Sequence, residues 1–183
     1  MARFLPVVPV SRVEPARPAF TVDDERFMTL ALDEARLAAE AGDVPVGAVL
    51  VRHNPDGMDA VVSRGHNTRE KDRTALGHAE INAIDNACRA LGTWRLSDCT
   101  LYVTLEPCPM CAGAILGGRI GRVVCGCRDA AAGAMGSVWA LHRHPVQTVP
   151  VNVEFGCLEN ECREVLQSFF RARRKDNIAR EED

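Results

Sequence analysis

Apolar residues recur at Phe27, Leu30, Ala31, Ala35 and Ala38, a helical spacing that begins after the capping-box pattern Thr21-Val-Asp-Asp24 and stops at Gly42. The pattern then changes to a continuous β-branched run, Val44-Pro-Val-Gly-Ala-Val-Leu-Val51, followed by the turn residues Asn54-Pro-Asp-Gly57 and a return at Ala60-Val-Val62, which predicts a hairpin. Residues 65–77 are polar and irregular. A second helical pattern opens at His78 and carries Ile81, Ile84, Ala87, Cys88 and Leu91 up to Gly92. Cys99 to Leu105 reads as a strand, Ala112 to Leu116 as a short apolar helix, and Arg122-Val-Val-Cys-Gly-Cys127 as another strand. Strand, helix, strand in that order implies a right-handed crossover between parallel neighbours. Beyond a small-residue loop at 129–137, the pattern predicts a helical turn at 138–141, an edge strand at 149–153 and a final amphipathic helix from Glu159 to Arg174. The expected architecture is a three-layer α/β/α sandwich around a mixed five-stranded sheet.

Composition narrows the class. The 183 residues (20.0 kDa) suit one domain, expected over 21–175, with a Pro- and Arg-containing extension at 1–20 and a charged tail at 176–183. Prolines at 6, 9, 15 and 18 interrupt any secretory apolar run, and no stretch is long and apolar enough to span a bilayer. Eight cysteines in a chain with an adequate core are expected as reduced thiols in a cytoplasmic protein. The net charge of −3 gives no global basic field. Any nucleic-acid contact must be local, and Arg171, Arg173, Arg174 and Lys175 form the candidate patch, which would equally suit a plain solvated face.

The chemistry concentrates where β-formers Tyr102 to Leu105 run into Glu106-Pro-Cys-Pro-Met-Cys111. Cys108 and Cys111, three apart at a helix start, lie on one face, and the helix dipole and free N–H groups there favour thiolates. A zinc ribbon would need a second such pair, and a redox Cys-x-x-Cys leaves the upstream His78-Ala-Glu80 unexplained. Together, His-x-Glu and Pro-Cys-x-x-Cys form the signature of zinc deaminases. One imidazole and two thiolates leave a fourth zinc position for water. Two thiolates also neutralise the ion, so it acidifies water less than a three-histidine site and a nearby base has to help. Glu80 is the candidate proton carrier, and Glu106 is expected to support the ligand helix.

These residues carry a family resemblance. His78-Ala-Glu80 and Thr104-Leu-Glu-Pro-Cys-Pro-Met-Cys-Ala-Gly-Ala114 resemble the zinc-dependent cytidine/deoxycytidylate deaminase superfamily, and within it the bacterial tRNA adenosine deaminases. Val44 to Val51, Gly65-His-Asn67, Trp94-Arg-Leu96, Arg119 to Val124, Gly133 to Ser137 and Phe169 to Arg174 extend the likeness over residues 24–175. The resemblance implies the sandwich fold, one Zn2+ per subunit on His78, Cys108 and Cys111, and Glu80 as the catalytic proton shuttle. It implies base contacts from Asn67 and the Ala79 N–H, a pocket wall at Pro107, and a homodimer acting on the wobble adenosine of a tRNA anticodon loop. Two segments depart from it: Thr74-Ala-Leu-Gly77 stands where such enzymes usually read Asp-Pro-Thr-Ala, and residues 146–151 lack the usual Asn-His pair. A free nucleobase or nucleoside deaminase with the same catalytic set is the alternative, and a catalytically silent zinc-stabilised binding protein the remote one.

Overall fold

The computed structural model describes residues 20–55, 57–145 and 147–181, with side chains described up to Lys175. The expected extension at 1–20 therefore lies, apart from Phe20, outside the described residues. Helix α1 (Val22–Glu40) is followed by β1 (Gly47–Arg52), β2 (Ala60–His66), the single turn α2 (Arg69–Asp72) and α3 (Ala79–Leu91). Then come β3 (Cys99–Leu105), α4 (Pro109–Gly117), β4 (Arg122–Cys127), a 3₁₀ turn (Leu141–Arg143), β5 (Asn152–Phe155) and α5 (Glu159–Glu181).

The five-stranded sheet has the order β2-β1-β3-β4-β5. Its first three strands are antiparallel neighbours, and β3, β4 and β5 are parallel, as the predicted crossover through α4 requires. Alternation along the strands sorts the core into two layers. Ala48, Leu50, Leu101, Val103 and Val123 pack with Ala83, Ile84, Ala112 and Ile115 of α3 and α4. Val49, Val51, Tyr102 and Val124 pack on the other side with Phe27, Met28, Ala31 and Leu32 of α1 and with Cys162 of α5. Helices thus cover both faces of the parallel half, and the three-layer α/β/α expectation is met.

The helix limits follow local chemistry. Thr21 and Asp24 form the reciprocal capping box at the start of α1, and Gly92 closes α3 in the left-handed conformation at φ 64°. Gly65 on β2 permits a close approach: a Cβ there would lie 2.5 Å from the Ala79 carbonyl oxygen, so α3 rests directly on the strand. Four elements differ from expectation. The first strand starts at Gly47 rather than Val44, because Pro45 has no N–H for a ladder and the Val46 N–H closes locally on the Val44 carbonyl. For the same reason β5 begins after Pro150, at Asn152. The final helix continues past Arg174 to Glu181, and α2 appears within the stretch expected to be irregular.

Asp24 also joins distant parts of the chain. Its buried carboxylate accepts from the Tyr102 hydroxyl (2.8 Å) and from Arg122 Nη1 (2.6 Å), while Arg122 Nη2 reaches Glu154 Oε2 at 2.6 Å. Burial alone would raise the Asp24 pKa, yet the bonds from Arg122, Thr21 and Tyr102 hold it well below the usual range. A carboxylate with a depressed folded pKa adds stability that is complete above its unfolded pKa of about 4 and is lost as pH falls through the folded value. Asp24→Asn is therefore expected to lower stability by about 3 kcal/mol at pH 7, and by progressively less in urea titrations below about pH 4. An unchanged urea midpoint at pH 7 would remove this role.

Candidate active site

Two helix N-termini meet at one end of the α3/α4 layer. β3 ends at Leu105, and after Glu106 and the buried Pro107 the chain enters α4 with Cys108 as its extended N-cap (φ −70°, ψ 173°) and Pro109 in the first turn. Cys111 lies one turn in, fully buried. His78 is likewise the extended N-cap of α3 (φ −90°, ψ 147°), with Ala79 and Glu80 in the following turn. Neither side chain makes a capping bond in the usual sense, and the two face each other.

His78 Nδ1 is 3.7 Å from Cys108 Sγ and 3.5 Å from Cys111 Sγ. Among the described residues, these three donor atoms form a group within 4.8 Å of one another. Tetrahedral zinc with Zn–S about 2.3 Å and Zn–N about 2.0 Å places its N and S ligands about 3.6 Å apart. The donor set and its spacing therefore suit zinc. Cys108 is drawn down to about 3, chiefly by the bond from the Cys111 thiol and against burial, with His78 adding to it. Cys111 is pushed up by the same bond and by burial. The Cys108 interaction raises His78.

Glu80 is buried beside this cluster, and burial, reinforced by the nearby Cys108 charge, lifts its pKa to about 7. A carboxyl group with that value exchanges protons readily near neutral pH. Asn67 Oδ1 accepts the Ala79 N–H at 2.9 Å, so the two residues expected at the base are bonded to each other. Because the oxygen faces Ala79, the Asn67 amide NH2 is the group left for other partners.

Glu106 anchors the loop behind α4. Its carboxylate accepts the backbone N–H groups of Asp129 (3.2 Å), Met135 (3.1 Å) and Ser137 (2.9 Å), together with the Ser137 hydroxyl. The Pro107 carbonyl takes the Ala134 N–H at 2.8 Å, which fixes the same loop against the ligand helix. His66, next to Asn67, turns instead toward α1, where Nδ1 meets Glu34 at 2.8 Å. The other cysteines are free thiols outside the cluster. Arg171, Arg173, Arg174 and Lys175 are all exposed, on a helix that packs in the α1 layer across the sheet from α3 and α4.

Residues 22–174 match the family model described as MafB19-like deaminase. A tRNA-specific adenosine deaminase of Bacillus subtilis (strain 168) is 46% identical over 156 residues, spanning 85% of this chain and 94% of that one. The chain belongs to the tRNA-specific adenosine deaminase family. A solved structure from a study of A-to-I editing by tRNA:A34 deaminases at the wobble position superimposes with a TM-score of 0.71 at 44% identity, covering 77% of this chain and 99% of that one. A guanine deaminase from Nitrosomonas europaea follows at 25% identity and a TM-score of 0.66, over 86% and 88% of the two chains. The deaminase fold thus extends to enzymes of free purines. Sequence reasoning gave Glu106 only a supporting place, since nothing in the residue string shows which N–H groups a carboxylate will collect. It missed Asp43, which is buried beside the loop that carries Asn67.

Proposed function

We propose that the chain hydrolyses the exocyclic amine of the wobble adenosine in a tRNA anticodon loop, giving inosine and ammonia. The observation that carries this is the meeting of His78, Cys108 and Cys111 at zinc-ligand spacing beside the buried Glu80, within a chain so similar to tRNA adenosine deaminases. His78, Cys108 and Cys111 hold the ion, which when bound supplies the Lewis acidity that makes a water nucleophilic at neutral pH. Glu80 accepts the proton of the attacking water and delivers it to the ring nitrogen adjacent to C6. Glu80 then takes the remaining proton from the hydroxyl added at C6 and passes it to the amine, so that the C6 carbonyl forms as the C–N bond breaks and ammonia leaves. The Asn67 amide and the α3 N-terminus orient the base, and Pro107 with the loop that Glu106 anchors forms the pocket wall.

The anticodon loop presents an unstacked base, which fits a pocket at two helix ends. Arg171, Arg173, Arg174 and Lys175 would meet its phosphates. Replacing the three arginines by Ala is expected to raise KM for an anticodon stem-loop by about tenfold or more and to flatten its salt dependence by about 0.7 per lost phosphate contact, with kcat on a saturating substrate nearly unchanged. An unaltered salt slope would make this a solvated face. A homodimer is part of the proposal, supported by exposed Trp94 beside a surface depression lined by Gly113, Leu116 and Gly117 of α4. The thiol-based metal site suits a reducing cytoplasm, and among the described residues no helix is long and apolar enough to cross a membrane.

Likeness to a guanine deaminase supports a second reading, hydrolysis of a free nucleobase or nucleoside. Ammonia and inosine are measured after incubation with an adenosine-34 stem-loop, free adenosine, guanine and cytosine. The proposal expects inosine from the stem-loop far above turnover of any free base. Guanine or cytosine turnover with an untouched stem-loop would replace it with the second reading.

A further inference from the structure

We propose that Asp43 is a positioning residue for the base pocket, holding the segment that carries Asn67 by capping α2 from a distant loop; this rests on the deaminase reading of the site. α2 spans only Arg69–Asp72, too short to persist on its own, and the N–H groups of its first turn need acceptors. Its N-cap residue, Thr68, makes no side-chain cap; the Thr68 hydroxyl instead takes an N–H of Asn82 at 3.2 Å. The acceptor comes from the α1–β1 connection. Asp43 Oδ2 receives the Glu70 N–H at 2.8 Å and the Lys71 N–H at 3.3 Å, the two positions that a local N-cap side chain would serve. Asp43 is only 1% exposed, and its own N–H is tied to the Ala38 carbonyl at the end of α1 (2.9 Å), so the carboxylate is fixed to the scaffold.

The capped turn clamps both ends of the loop that enters the site. The Thr68 N–H donates to the Gly77 carbonyl at 2.8 Å, and a Cβ on Gly77 would lie 2.9 Å from both the Arg69 nitrogen and Thr68 Oγ1. Thr68 directly follows Asn67, and Gly77 directly precedes His78. Asn67 is held further by its N–H on the Val46 carbonyl (3.1 Å) and by its Oδ1 on Ala79. Asp43 therefore acts through α2 on the orientation of the Asn67 amide, while the ligand atoms stay secured by α3 and α4.

Asp43→Ala removes both bonds, which end on one carboxylate oxygen, and is expected to raise KM for the anticodon stem-loop by about 10-fold to 100-fold, with kcat changed much less and zinc content kept. Asp43→Asn, which retains an acceptor oxygen, should restore KM to near the wild-type value. Hydrogen exchange at the Glu70, Lys71 and Ala79 amides should speed up in Asp43→Ala and recover in Asp43→Asn. If Asp43→Ala does not fold, Gly77→Ala presses on the same turn from the other side and is expected to raise KM and speed Ala79 exchange likewise. A folded, zinc-loaded Asp43→Ala with unchanged KM and unchanged Ala79 exchange overturns the proposal, as does an Asp43→Asn as impaired as Ala. The exchange measurement needs no substrate, so it decides the matter even where the wild-type chain leaves the stem-loop intact, the outcome that instead contradicts the proposed function.

Discussion

Glu80→Gln is expected to lose about 10²-fold to 10⁴-fold in kcat while keeping one equivalent of zinc and a nearly unchanged KM. The substitution preserves the shape of a buried side chain but removes its ability to accept and return a proton. The effect should be large because zinc held by Cys108 and Cys111 as thiolates would lose most of its charge, and a water on it would be too weakly acidic without a base. Position and proton affinity both favour Glu80: it sits in the turn after His78, and burial raises its pKa to about 7. Ammonia release measured beside zinc content by mass spectrometry checks it. A Gln enzyme with wild-type kcat would move the proton-carrying role elsewhere.

Cys108→Ser or Cys111→Ser should instead remove the metal and weaken the fold. The cluster joins the starts of α3 and α4, two helices that also share a core. Ions bound to the folded chain alone stabilise it by mass action, by about 4 kcal/mol when present at a thousand times their dissociation constant. Each serine variant is therefore expected to purify with little zinc, to melt several degrees lower, and to gain nothing from added zinc. Wild-type protein treated with a chelator should show the same lower melting temperature and recover it on metal return. Stoichiometric zinc in either variant would refute the ligand set. Glu80→Gln, with intact ligands, should melt close to wild type, which separates the two classes of defect.

The contrast between what could and could not be read from the residue string has a physical pattern. α1, α3, β3 and β4 were legible because each carries a long apolar period and its own punctuation, such as the Thr21/Asp24 box and Gly92. The pairing of Cys108 with Cys111 was legible because helical spacing fixes it, and His78 was reached through the combined His-x-Glu and Pro-Cys-x-x-Cys signature rather than through any local spacing. α2 was hidden, since four residues show no period and its cap comes from Asp43, outside the turn itself. The linkage of Asp24, Tyr102, Arg122 and Glu154 was equally hidden, being assembled from three strands and a helix by the sheet order. Glu106 could be placed beside the site, but its real partners are backbone N–H groups of a loop more than twenty residues on. Local chemistry is written in spacing, whereas carboxylates that anchor loops act through tertiary geometry.

X-ray absorption at the zinc edge of the purified, active protein tests the centre of this account most directly. Two sulfur scatterers at about 2.3 Å with two nitrogen or oxygen scatterers at about 2.0–2.1 Å are expected, one from His78 and one from the open position that the reaction uses. A shell of four sulfurs, or active protein without zinc, would contradict it.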